Sequence, residues 1–158
     1  MDTYELEKPV WSDEDFEIMG WHDSTVWGML QNSDEWEYLL DLDYIFKWVN
    51  PEKGETYFKF WVAPVTMVFD NTSDVKIHLE SSQGHVEIAD LYMENPTESP
   101  NGKFINHTYR FDCHNGTISL RATGFKMFVR KTPILLERQS LELKERGGVN
   151  FGRKINIS

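Results

Sequence analysis

Histidine beside aspartate is the pairing that orients a general base or a metal ligand, and one such pair, His22-Asp23, follows Trp21. Neighbouring side chains in a strand point to opposite faces, which argues against direct contact. The plainer role has Asp23 capping a turn and His22 packing beside Trp21. Asp41 and Asp43 are two positions apart, so a strand places both on one face, roughly 6.5–7 Å apart. Leu39 and Ile45 flank them, and two carboxylates so placed could bind a hard cation or share acid and base roles. The preferred reading is a solvent face bearing alternate acids.

The remaining candidates are weaker. His78, His85, His107 and His114 show no zinc-ligand spacing, and the single cysteine, Cys113, cannot supply a thiolate cluster. Cys113-His114 resembles a nucleophile dyad only in adjacency. Cys113 continues the apolar face of Tyr109 and Phe111, as a buried inert thiol would. There is no Gly-rich phosphate loop, no nucleophile elbow and no His-Glu-x-x-His helix, which weighs against an enzyme.

The elements that must position these residues are mostly strands. Residues 1–11 read as a loose lead-in, followed by a short helix from Ser12, a capping residue, to about Met19. Period-two alternation then predicts a strand over 24–31 and a long one over 36–45 with one strongly apolar face. Strands at 57–62 and 65–69 should be separated by a break or bulge at Pro64, which has no N–H for the ladder. Further strands are expected at 75–79, 86–93 and 125–131, with a loop over 94–102. Asn115-Gly116 predicts a type I′ turn joining Tyr109, Phe111 and Cys113 to Ile118, Leu120 and Ala122. Residues 140–146 fit a short helix or a strand. The tail from 147 to 158 alternates as an extra edge strand, or one exchanged between two chains in a homodimer. The expected fold is a mainly β single domain, an antiparallel β-sandwich or barrel of about 8–10 strands with one short N-terminal helix.

The chain has 158 residues, 40% hydrophobic and 14% aromatic, enough for one sizeable core. Its net charge of −10 is uneven. Residues 1–55 carry 15 acids and 3 bases, whereas residues 126–158 carry 3 acids and 8 bases. So acidic a surface disfavours nucleic acid and anionic lipid as partners and leaves a basic protein partner open. Within the fold, the acidic third is expected to neutralise part of the basic tail. The lone cysteine, and an acidic start without an apolar run, point to a reducing cytoplasm.

Several segments resemble a widespread family of small uncharacterised bacterial proteins. They are Met19-Gly20-Trp21-His22-Asp23, Leu40-Asp41-Leu42-Asp43-Tyr44-Ile45 with Trp48 and Pro51, and Phe60-Trp61-Val62-Ala63-Pro64-Val65-Thr66. Thr123-Gly124-Phe125 with Arg130, and Gln139-Ser140-Leu141, complete the likeness, which spans roughly residues 18–143. It implies a shared fold and no activity. The aromatic-His-Asp start on an acidic, all-β body also resembles, more loosely, immunity proteins of bacterial toxin systems.

The leading functional expectation is a non-catalytic, immunity-like protein that presents an acidic face to a protein partner, with no cofactor. One alternative is a metal-binding or hydrolytic pocket formed by His22, Asp23, Asp41 and Asp43, with His22, Asp41 and Asp43 as the metal candidates. The other is a small-molecule cavity inside a barrel.

Overall fold

A computed structural model describes residues 3–157; the portions of the expected lead-in and tail at Met1, Asp2 and Ser158 lie outside the described residues. Ten strands form one antiparallel sheet: β1 (Val10–Ser12), β2 (Thr25–Asn32), β3 (Glu37–Val49), β4 (Lys59–Asp70), β5 (Ser73–Leu79), β6 (Val86–Glu98), β7 (Ile105–Cys113), β8 (Gly116–Ala122), β9 (Gly124–Val129) and β10 (Ile134–Leu136). Their order is β1-β9-β4-β3-β2-β6-β7-β8-β5, with β10 added on β4. The expected mainly antiparallel β class is what the chain adopts. The sheet stays open, with β1 and β5 at its ends, so the barrel alternative does not apply.

Only two residue pairs, Thr25–Glu87 and Val26–Val86, join β2 to β6. About this narrow seam the two halves of the sheet pack face to face. Tyr38, Leu40, Leu42 and Tyr44 of β3 and Val65, Met67 and Phe69 of β4 meet Tyr109 and Phe111 of β7 and Ile118 and Leu120 of β8. The Phe69 ring lies 5.1 Å from Tyr109 and 5.9 Å from Phe111, centroid to centroid. Large aromatics spaced this way contribute beyond the area they bury.

The alternation of acids on the opposite face of β3 suggests a wet surface. Instead Leu39, Asp41, Asp43 and Ile45 are all buried. The chain beyond β10 folds back over this face: Leu141, with Leu136 at the end of β10, packs on Ile45, Phe60 and Val62. One turn of helix, α1 (Leu143–Arg146), follows, and the tail then runs across β2 and β4. The tail makes one parallel bridge, Lys131–Asn156, in place of the edge strand expected of it. Gly28 accommodates its approach, since a Cβ there would lie 2.9 Å from the Phe151 ring. At the other end the lead-in is held too. Tyr4 packs on Phe46 and Trp61, Trp11 is buried, and Val10–Ser12 pair with β9.

Other departures from expectation have local causes. The helix after Ser12 is a 3-10 helix (Asp13–Ile18), with Ser12 and Asp15 forming the reciprocal cap. Strand β4 runs unbroken through Pro64, whose carbonyl accepts from the Arg130 N–H on the β9 side. Its missing donor therefore faces the gap where the neighbour changes from β9 to β10, and no ladder bond is lost. Strand β6 likewise passes Pro96, because beyond Glu87 only β7 pairs with it. The loop expected over 94–102 is correspondingly shorter.

The β7–β8 hairpin turns at His114-Asn115, with Cys113 opposite Gly116, rather than at Asn115-Gly116. Gly116 has φ +142°, and a Cβ there would sit 1.8 Å from the His78 carbonyl oxygen of β5. Gly116→Ala should therefore push β5 off the sheet. The backbone strain alone costs about 1–3 kcal/mol, and a fall in the urea midpoint, with faster amide exchange over 73–79, is the expected readout.

Candidate functional site

Two clusters of polar residues are built on this frame, one sealed and one open. In the sealed cluster, Asp41 and Asp43 project from β3 beneath the C-terminal segment, and neither is reached by solvent. Arg146, on α1, is buried with them and uses all five of its N–H donors. Its Nε donates to Asp43 Oδ1 at 3.0 Å. The two terminal nitrogens donate to Asp41 Oδ2 and Oδ1 at 2.7 and 2.6 Å, and also to the carbonyls of Gly148 and Leu42. The fork geometry of a guanidinium suits such two-pronged pairing.

Arg130 donates to Asp41 at 2.8 Å and to Thr66, whose hydroxyl donates in turn to the Gly152 carbonyl. The Trp27 indole and the Leu141 N–H donate to Asp43 Oδ2, and the Asn150 N–H donates to Asp41 Oδ2. Trp27 reaches Asp43 because β2 bulges between Val26 and Gly28. The Arg146 guanidinium lies 4.8 Å over its ring.

Two carboxylates and two guanidinium groups thus balance inside the protein. Burial works against the Arg146 charge, but Asp41 and Asp43 outweigh it and hold the guanidinium above its ordinary value. Burial also pushes the Asp43 carboxyl up, so its ionised form depends on the donors of Trp27, Arg146 and Leu141. Four donors occupy every lone-pair position of Asp41, and three occupy all but one of those of Asp43, which is itself buried beside Arg146. The pairing of the acidic first third with the basic tail takes place here. Arg153 extends it by bonding Glu37 at 2.6 Å.

The open cluster surrounds Asp23. His22 Nδ1 lies 3.1 Å from Asp23 Oδ2, so the two adjacent residues do meet. They can because Asp23 occupies a turn at φ +66° rather than a strand, which removes the alternation that would separate them. His22 itself is exposed, and its ring lies tilted against Trp48, 5.9 Å between centroids, rather than the Trp21 expected of it. It does not join Asp41 and Asp43, which lie under the tail. Gln139 donates to Asp23 Oδ2 at 2.7 Å, and the His114 Nε2 atom stands 3.5 Å from Oδ1 and 3.8 Å from Glu87 Oε2.

Beside this cluster a cleft of about 520 Å³ is lined by Trp48, Tyr57, Phe58, Phe60, His85, Glu87, Glu137, Arg138 and Gln139, among others. Tyr57 is 79% exposed, Phe58 41% and Trp48 40%. Trp48 holds Phe58 and Phe60 edge-on, at 5.9 and 4.9 Å. Arg138 is neutralised by Glu145 and Glu142.

Sequence reasoning did not single out Arg130, Arg146, Trp27, Gln139 or Glu87 as site residues. The excess of bases from residue 126 onward was the sign of the arginines, with Arg130 also among the residues of the family likeness.

The chain matches no family model, no curated protein and no solved structure. Among the described residues no helix is long and apolar enough to cross a membrane.

Removing Arg146 leaves two buried carboxylates undercompensated, a change that typically costs about 3–5 kcal/mol. Arg146→Ala should lower the urea midpoint accordingly, and adding Asp43→Asn to that variant should recover part of the loss. Cys113, half-buried with its thiol pushed up to about 11 by burial and by Asp112, should be a poor nucleophile. Disulfide reagents at pH 8 are expected to modify it about a hundredfold more slowly than an unfolded-chain cysteine.

Proposed function

We propose that this chain is a non-catalytic binding protein whose working surface is the aromatic cleft between Trp48, Tyr57 and Phe58. Its occupant is an arginine- or lysine-bearing segment of a protein partner. The observation that carries this reading is the exposure of three large aromatic side chains around one depression. A monomer gains nothing by leaving such surface wet, and contiguous apolar surface of this kind characterises interaction sites. Tyr and Trp side chains are also the anchors that dominate binding energy at interfaces.

The chemistry of the rim selects the partner. Glu87 and Glu137 line the cleft, and Glu55 adjoins it beside Tyr57. The cleft's one arginine is already paired, so an incoming cation meets carboxylates and the π-faces of Trp48 and Tyr57. The net charge of −10 adds long-range attraction for a basic partner and speeds encounter. This accords with the immunity-like reading of the sequence. The reading also draws support from the sealed state of Asp41 and Asp43, since that same-face pair of carboxylates is already committed to arginine.

Retention of a basic protein by the immobilised chain tests the proposal. Trp48→Ala, and the double variant Glu87→Gln/Glu137→Gln, are each expected to cut retention at least about tenfold, equivalent to 1.4 kcal/mol. Phe104→Ala, which alters an exposed ring outside the cleft, should leave it unchanged. Equal retention by all of these proteins, or none by the wild type at low salt, would refute the cleft as the interface.

A further inference from the structure

We infer that Asp23, Glu87 and His114 form a binding site for a first-row divalent transition ion, typified by Zn²⁺, at the rim of the cleft. This goes beyond the binding role proposed above and stands on separate observations. One ligand atom from each residue lies within 4.8 Å of the other two. Metal–ligand bonds of about 2.0–2.1 Å place co-ligands of a tetrahedral ion roughly 3.3–3.4 Å apart. The His114 separations, 3.5 Å to Asp23 and 3.8 Å to Glu87, need to contract by only a few tenths of an ångström. They are too long for good hydrogen bonds, so the three groups face a common point without satisfying one another.

The three residues come from distant parts of the chain, yet the backbone locks them into one frame. The Asp23 N–H donates to the Ile88 carbonyl at 2.7 Å, the Ile88 N–H to the Ser24 carbonyl at 2.8 Å, and the His114 N–H to the Glu87 carbonyl at 3.0 Å. The turn before β2, the start of β6 and the β7–β8 turn are thereby fixed relative to one another before any ion arrives. Such preorganisation spares a ligand the ordering of its own site.

An outer layer is present as well. Gln139 and His22 both engage Asp23 Oδ2, which leaves Oδ1 turned toward His114. Outer partners that orient a ligating carboxylate are a regular feature of metal centres. One imidazole among two carboxylates favours a transition ion over Mg²⁺, which prefers an all-oxygen octahedron with retained waters. Three protein ligands leave at least one coordination position for water or for a donor from a bound partner. Glu87, shared with the cleft, places that position where an occupant could reach it.

The test is calorimetric titration of Zn²⁺ and of Mg²⁺ into chelator-treated protein, with circular dichroism to confirm that each variant is folded. The expected result is saturable binding of one Zn²⁺ and none of Mg²⁺. His114→Ala and Glu87→Gln should abolish saturation. Gln139→Ala, which removes one of the two side chains that orient Asp23 and no ligand, should weaken binding about tenfold. His78→Ala and His107→Ala should leave it unaltered. Absence of saturable Zn²⁺ binding by the folded wild type, persistence of binding in His114→Ala, or equal affinity for Mg²⁺ would each overturn the assignment.

Discussion

The two-carboxylate grip of Arg146 is the interaction on which the rest of this structure depends. A charge taken from water is tolerated only with excellent pairing, and here every N–H of the guanidinium has an acceptor. Because Arg146 belongs to the C-terminal segment and the aspartates to a central strand, the pairing is also a topological clamp. It holds residues 137–157, Leu141 among them, against a sheet face that would otherwise expose Ile45, Phe60 and Val62. Apolar contact supplies adhesion, but the directional bonds set where the segment must lie.

That clamp reaches the open cluster through three residues. The Leu141 N–H is bonded to Asp43 and the Gln139 side chain to Asp23, so one short stretch of chain is tied at both ends. Its position sets one wall of the aromatic cleft, where Gln139 and Arg138 sit, and sets the orientation of the Asp23 carboxylate. Sealed and open clusters are therefore parts of one construction: buried charges fix a segment, and the segment shapes a surface. The seam between β2 and β6 contributes from the other side, carrying Glu87 beside the turn that holds Asp23.

Much of the sheet was readable from alternation alone. The long apolar face of Tyr38, Leu40, Leu42 and Tyr44 and the matched arms of the β7–β8 hairpin are core in the structure, as their spacing required. The site was less readable. The spacing of Asp41 and Asp43 puts them on one face and suggests solvent there, because a strand's pattern reports which side chains share a face and not what covers it. The cover lies about a hundred residues away in Arg146, and only the imbalance of charge between the two ends of the chain hinted at it. Strand alternation misled at His22-Asp23 for a related reason, since the two side chains meet. A single positive φ cancels the alternation, and nothing in three residues announces that angle.

By itself the sequence determined the secondary-structure class, the inward face of each half of the sheet and the excess of acid at one end over base at the other. These follow from local periodicity and composition, which need no knowledge of the partner strand. Tertiary structure alone decided that the sheet stays open, that the tail crosses its own sheet, and that Asp23, Glu87 and His114 share a corner beside exposed aromatics. Each of those outcomes is set by contacts between residues far apart in the chain, where geometry in three dimensions, rather than spacing along one, selects which groups meet.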